Sequence, residues 1–134
     1  MNGAKILAKS LEELGVKQIF GYTGAAILPV MDEIGKSNIE IIVNANEQSA
    51  AFSAAGYSRA SGTVGVAIVT SGPAITNTLT AVADAFVDSI PMIVIAGQVP
   101  EYKLGTDSFQ HINVMRVFGE TAKKVVLADK IENL

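Results

Sequence analysis

Two hydrophobic patterns take turns along this chain: segments with apolar residues on one helical face, and short unbroken apolar runs. Residues 3–14 place Leu7, Leu11 and Leu14 on one side of a helix, with Lys and Glu between them and Gly15 as the stop. "KQIFG" (17–21) reads as a short buried strand, and "AAILPVMDEIG" (25–35) as a helix that tolerates Pro29 only near its first turn. "IEIIV" (39–43) is the next strand. "EQSAAFSAAGYSRASG" (47–62) is a helix whose Ala and Gly residues permit close packing. "VGVAIVT" (64–70) and "PMIVIAG" (91–97) have no polar face, so both sides of each are expected to be covered. Between them "PAITNTLTAVADAFVDS" (73–89) predicts one helix with Pro73 at its first position. "INVMRVFG" (112–119) reads as helical and "KKVVLA" (123–128) as extended. Asp129, three residues before Glu132, marks the start of a further helix, either truncated or completed by a partner.

Strands alternating with helices predict an α/β, doubly wound fold: a mostly parallel sheet with helices on both faces. Right-handed crossovers gather the carboxyl ends of such strands on one edge, where ligands bind. The unusual residues collect there: "GYTGAA" after the first strand, "NANE" after the second, "TSGP" after the third and "GQVP" after the fourth. Four turns rich in Gly, Pro and amides share an edge with one carboxylate, Glu47.

Composition narrows the possibilities. A chain of 134 residues fits one domain. Apolar residues make up 49% and charged residues 17%, below the usual quarter or so, which suggests that something else covers part of the surface. The formal charge is −3 with Lys and Arg scattered, so nothing is built to neutralise nucleic-acid phosphates. There is no cysteine, hence no disulfide framework and no thiol chemistry. Lys5, Lys9, Glu12 and Glu13 rule out a signal peptide at the N-terminus, and Gly62, Gly65, Gly72 and Pro73 interrupt the uncharged stretch 60–83, which argues against a membrane span. A cytoplasmic protein is expected.

Read alone, the turns leave alternatives open. Gly21 and Gly24 either supply a left-handed turn or allow close approach to a ligand. Their G-x-x-G spacing is not the G-x-G-x-x-G of dinucleotide sites, which makes a nicotinamide or flavin site the weaker reading. Glu47 is either a first-turn acid favoured by the helix dipole, worth about 0.3–1 kcal/mol, or a working one. Flanked by Ala45, Ala50 and Ala51, it suits the second role, since a sheltered carboxyl group holds a proton more readily. Ser71 and Pro73 make an ordinary helix start, and Asn77 an ordinary solvated helix residue. His111, the lone histidine, cannot build a metal site and is given no role. "TSGP" lacks the G-x-S-x-G nucleophile elbow.

Together, "GVKQIFGYTGAAILPVMDEI", "NEQSAAFSAAGYSRASG", "VGVAIVTSGPAITNTLTAVADAFVDSIPMIVIAGQVP" and "LGTDSFQ" resemble the N-terminal pyrimidine-binding domain of thiamine-diphosphate enzymes, with the acetolactate synthase catalytic subunits as the nearest match. The resemblance covers about residues 3–134. It implies a pyrimidine-binding domain over 1–128, with 129–134 as a truncated helix or a linker to a middle domain. It implies that Glu47 hydrogen-bonds N1′ of the cofactor's aminopyrimidine, so that the 4′ nitrogen removes the thiazolium C2 proton and C2 attacks a 2-keto acid. Loss of carbon dioxide and addition to a second 2-keto acid follow. Tyr22, Thr23, Gly24 and Ala25 match the loop lining the cofactor and substrate pocket. Pro73 and Asn77 match positions beside the pyrimidine. Phe109 and Gln110 match a pair near the reacting centre, Gln110 with a catalytic part, and Pro100 and Lys103 fall at the mouth of the substrate channel.

The resemblance also implies Mg2+ and, in acetolactate synthases, FAD, both held by domains this sequence does not contain. The expected partners are the diphosphate-binding domain of a second subunit, further copies in a homo-oligomer (dimer or tetramer), and a regulatory subunit. The lone chain is expected to be inactive. Relatives commonly read G-Y-P-G-G-A and S-G-P-G-A-T-N, so Thr23, Ala25 and Ala74 are departures, and the methyl groups of Ala25 and Ala74 are expected to narrow the pocket. His111 stands where an acid usually follows Phe-Gln. These departures keep other thiamine-diphosphate enzymes of the sulfopyruvate decarboxylase, oxalyl-CoA decarboxylase or glyoxylate carboligase type in play, along with a non-catalytic interaction module.

Overall fold

Four short apolar runs form strands: β1 (Gln18–Gly21), β2 (Glu40–Val43), β3 (Gly65–Val69) and β4 (Met92–Ala96). They lie all parallel in the order β2-β1-β3-β4 in a computed structural model that describes residues 2–131. The register sets Ile42, Phe20, Ala67 and Val94 in one row across the sheet, so their side chains share a face. The next row, Val43, Gly21, Ile68 and Ile95, belongs to the opposite face. Central β3 is buried along its whole length, as a strand with no polar side requires.

Helices cover both faces. On one, α1 (Gly3–Glu13) and α2 (Leu28–Ile34) set Ala8, Leu11 and Ile34 against Ile19, Val66 and Ile68. On the other, α3 (Glu47–Ser61) sets Ala50, Ala51 and Ala54 against Phe20 and Ala67. Those small side chains let α3 lie so close to the sheet that a Cβ on Gly65 would overlap the Ala54 carbonyl. Helix α3 starts on Asn46, whose side chain accepts from the Ser49 N–H at 2.8 Å, and stops at Gly62 with φ 71°. The expected doubly wound α/β architecture is therefore present.

Several expectations need correction. The helix expected over 73–89 is two helices, α4 (Pro73–Asn77) and α5 (Leu79–Val87), hinged at buried Thr78. The Thr76 hydroxyl donates to the Pro73 carbonyl at 2.9 Å and the Thr78 hydroxyl to the Ile75 carbonyl at 2.7 Å. Hydroxyls bonded back to the preceding turn in this way bend helices. Strand β4 is not covered on both sides: it is an edge strand, and Ile93 is 43% exposed. The helix expected from residue 25 begins at Leu28 after a turn closed by the Gly24 carbonyl, which accepts from the Ile27 and Leu28 N–H groups. The helix expected over 112–119 shortens to α6 (Val114–Phe118). Residues 123–128 form no strand; Val125 packs against the cluster of Val69, Ile75 and Phe118 without joining the sheet. The helix start expected at Asp129 depends on Glu132, which lies outside the described residues. No helix among the described residues is long and apolar enough to cross a membrane.

Candidate functional site

The chain leaves β1 for β2 on one side, while β3 pairs with β1 on the other, so the order of strand addition reverses at β1. In open α/β sheets the crevice beyond such a reversal is the usual ligand position. All four expected turns meet at this edge, and glycines make the meeting tight. A Cβ on Gly24 would stand 2.5 Å from the Thr70 side chain, and one on Gly97 would stand 2.9 Å from Ala26. Neither Gly21 nor Gly24 has positive φ. They are needed for close approach, but to β3 and its turn: a Cβ on Gly21 would meet Ile68 Cγ2 at 2.5 Å. The tight-turn explanation of these two glycines is thus overturned.

Glu47 opens α3 directly after the β2 turn and is half-buried. Its Oε2 accepts a hydrogen bond from Asn77 Nδ2 at 2.9 Å. Asn77, the last residue of α4, is therefore no free solvated residue: it ties the second turn to the third. Beside the pair lies an open hollow of about 320 Å³ lined by Asn46, Gln48, Thr76, Asn77 and Thr80. No cation approaches Glu47 within ion-pair distance among the described residues. Its carboxyl group is held by an amide and left with hydrogen-bonding capacity to spare.

The remaining candidates are placed as follows. Tyr22, Thr23 and Ala25 are exposed on the first turn, and Gly24 is half-buried against Thr70. Pro73 is exposed at the start of α4. Pro100 and Lys103 are exposed on the loop after β4, where Glu101–Lys103 make a 3-10 turn. Phe109 is 85% exposed, and Gln110 is half-buried with its backbone against Gly72. The structure thus joins Glu47 to Asn77 and Gln110 to the turn before Pro73, and leaves Pro100, Lys103 and Phe109 exposed on the loop after β4. The Ala74 methyl is buried among Val69, Val82 and Phe118, so it fills the core and narrows no pocket.

Sequence reasoning passed over other residues here. Asn44 Oδ1, Thr70 Oγ1 and Ser108 Oγ are buried oxygens with no hydrogen-bond partner among the described residues. Asn44 and Thr70 directly follow β2 and β3 at the carboxyl edge, and Ser108 lies in the loop after β4 whose Gln110 packs on Gly72. Buried polar groups left unpaired are uncommon and point to a polar group or water not among the protein atoms. Asn44 belongs to the "NANE" turn and Thr70 to the "TSGP" turn, but residue identity alone does not reveal burial. His111 has a structural part after all: its Nε2 accepts from the Gly105 N–H at 3.4 Å.

This edge fits the pyrimidine half of thiamine diphosphate. A carboxyl group and an amide converge there, and a heteroaromatic ring with one protonatable nitrogen and one amino group offers matching partners. The same residues do not fit a metal: no group of three or more His, Cys, Asp or Glu converges among those described.

Comparison with known proteins agrees. Residues 1–117 match the family model for the thiamine pyrophosphate enzyme, N-terminal TPP binding domain. The chain is 43% identical over 134 residues to the acetolactate synthase isozyme 2 large subunit of Escherichia coli (strain K12), covering 100% of this chain and 24% of that protein. It is 43% identical over 135 residues to the mitochondrial acetolactate synthase catalytic subunit of Saccharomyces cerevisiae, covering 100% of this chain and 20% of that one. It is 47% identical over 118 residues to the probable acetolactate synthase large subunit of Methanocaldococcus jannaschii, covering 88% of this chain and 20% of that one. The chain spans a fifth to a quarter of the length of these relatives. With a doubly wound fold, a carboxylate-amide pair at its carboxyl edge and a family match over most of its length, the chain belongs to the thiamine pyrophosphate enzymes, as their N-terminal TPP-binding domain.

Proposed function

We propose that the protein carrying this chain is an acetolactate synthase, which decarboxylates one 2-keto acid, pyruvate, and joins the remainder to a second. The observation that carries the reading is the Glu47–Asn77 hydrogen bond at the carboxyl edge, in a chain similar along its whole length to acetolactate synthase large subunits. Thiamine diphosphate, when bound, supplies the carbon that adds to the keto group and holds the electron pair left by carbon dioxide.

The chain's own residues act on the pyrimidine. Asn77 fixes one carboxyl oxygen of Glu47, and the other shares a proton with the ring nitrogen. No Lys or Arg among the described residues pairs with Glu47, so its second oxygen stays open to the ring nitrogen. Tyr22, Thr23, Gly24 and Ala25 would line the cofactor and substrate pocket, with Pro73 beside the pyrimidine. Gln110 orients the incoming 2-keto acid, and Phe109, Pro100 and Lys103 form the channel mouth. The diphosphate and Mg2+ fall to the diphosphate-binding domain of a second subunit, which makes the working enzyme a homo-oligomer. FAD belongs to a further domain, and a regulatory subunit is an additional partner. The same reading takes the enzyme as cytoplasmic.

The test is Glu47→Gln in the protein at its natural length. Exchange of the cofactor C2 proton, followed by NMR, is expected to slow by about 100-fold or more, the usual scale for a lost proton relay. Circular dichroism and Tm should stay as in the parent. Exchange at the parent rate would remove Glu47 from the mechanism.

A further inference from the structure

The loop after β4 lands on the site through an unusual joint. Gly72 has φ 64° and ψ −124°, a backbone region closed to residues with side chains. A Cβ there would stand 2.6 Å from the Gln110 carbonyl oxygen, 2.7 Å from its Cα and 2.8 Å from its carbonyl carbon. These are backbone atoms, which cannot swing aside. Gln110 itself has φ 57°; among the described residues only Ser89, at an exposed turn after α5, is another non-glycine with positive φ.

Strain of this kind persists only where the surroundings impose it. The loop is braced to do so. The Thr106 N–H and hydroxyl both donate to the Lys103 carbonyl, at 3.2 and 2.7 Å. The His111 N–H donates to the Ser108 carbonyl at 3.1 Å, and the Gly105 N–H to His111 Nε2. These bonds brace residues 103–111, and within them the Gln110 backbone fills the space that a side chain on Gly72 would need.

We infer that Gly72 is a positioning residue: its bare backbone is the socket that seats Gln110 and fixes where the Gln110 side chain stands at the carboxyl edge. The inference rests on the reading of this edge as the reaction site. It differs from a purely local need for glycine at the start of α4, because it assigns the damage of a substitution to a loop 38 positions away in sequence, between Gly72 and Gln110.

The test uses the protein at its natural length and two readouts. Amide hydrogen exchange of residues 104–111, by mass spectrometry, should quicken roughly tenfold in Gly72→Ala, the scale set by release of a strained contact, with β1 and β3 unchanged. Gln110→Val should do the same from the other side of the joint, since a β-branched residue rejects φ near 57°. It also serves if Gly72→Ala fails to fold. Gln110→Gly should keep the loop protected, because glycine accepts that φ, yet lose kcat/KM for acetolactate formation through the missing amide. Adding Gly72→Ala to Gln110→Gly should cost little further kcat/KM, far less than Gly72→Ala costs in the parent. Unchanged loop exchange in Gly72→Ala and Gln110→Val, or kinetic losses that simply multiply, would overturn the inference. If the parent forms no acetolactate from pyruvate with thiamine diphosphate and Mg2+, the functional reading fails, and the exchange measurements alone decide the positioning claim.

Discussion

Helix α3 is tied to the α4–α5 pair at both of its ends, and the two ties are built in opposite ways. At its carboxyl-terminal end Arg59 reaches Asp84 at 2.9 Å and Asp88 at 2.7 Å, one cation between two anions. At its amino-terminal end Glu47 takes a single hydrogen bond from the neutral amide of Asn77. The first tie answers charge with charge. Its hydrogen bond to Asp88 raises the Arg59 pKa above its usual value; desolvation is the next largest influence and opposes the rise, and the charges of Asp88 and Asp84 add smaller support. The second tie holds a carboxyl group in place and leaves its charge unanswered. A contact meant only to join two helices gains from a full ion pair. A contact meant to hold an acid for proton transfer loses its purpose if a cation sits on it. Under the function proposed above, the difference separates a structural end of α3 from a chemical one.

The sharpest way to break that distinction is to rebuild the chemical end in the style of the structural one. Asn77→Lys places an ammonium beside Glu47 at a position that is exposed in this domain. Tm should hold or rise slightly, while kcat/KM for acetolactate formation should fall by about 100-fold, because the ammonium then occupies the carboxyl oxygen that the pyrimidine nitrogen needs. Stopped-flow or coupled assays of the natural-length enzyme, with Tm by scanning calorimetry, give both numbers. A variant that kept its rate would show that Glu47 needs no such freedom.

How much of this was legible in the residues varies with the range of the contact involved. β3 was plain because every residue of "VGVAIV" is apolar, and α3 because Asn46 and Gly62 bracket it. Glu47 stood out as a carboxylate among alanines. Asn77 did not: its partner lies 30 positions away, so only the family resemblance singled it out, and the geometry then supplied the reason. The break at Thr78 was hidden because a threonine reads alike whether its hydroxyl faces water or the preceding turn. The exposure of Ile93 depends on strand order, since any apolar strand looks central until its neighbours are known. Gly21 and Gly24 were noticed for the right position and the wrong cause; local φ is a property of a turn, but the approach of Thr70 is a property of the sheet. The Gly72–Gln110 joint was invisible for the same reason.

A smaller effect is expected at the structural end. Arg59→Gln removes the cation and leaves Asp84 and Asp88, two like charges on one helix face, without it. All three side chains are 42–50% exposed, so the loss should lower Tm by at most a few degrees. Activity should stay within a factor of about two, the range of a surface change remote from the site. The sign of any pH effect follows from the raised pKa. A cation whose folded value exceeds its unfolded one contributes fully below the unfolded value, and that contribution fades only as pH climbs through the folded one. For an arginine both lie far above neutrality, so the Tm difference between parent and Arg59→Gln due to deprotonation of Arg59 should not change between about pH 7 and 9. A difference that shrank over that range would mean that some other group carries the tie.

The finest distinction between the two ends is their response to salt. Exposed ion pairs weaken as mobile ions screen them, with a screening length of about 10 Å at 0.1 M and about 3 Å at 1 M. The Tm gap between parent and Arg59→Gln should therefore close as salt rises from about 0.1 to 1 M. A matching gap for Asn77→Ala should persist, because a short bond from a neutral amide to a carboxyl group depends mainly on direct contact and little on long-range charge. If both gaps closed together, the amino-terminal tie would be electrostatic in the same sense as the other. The contrast between a charge-balanced joint and a held but unbalanced acid would then have no physical content.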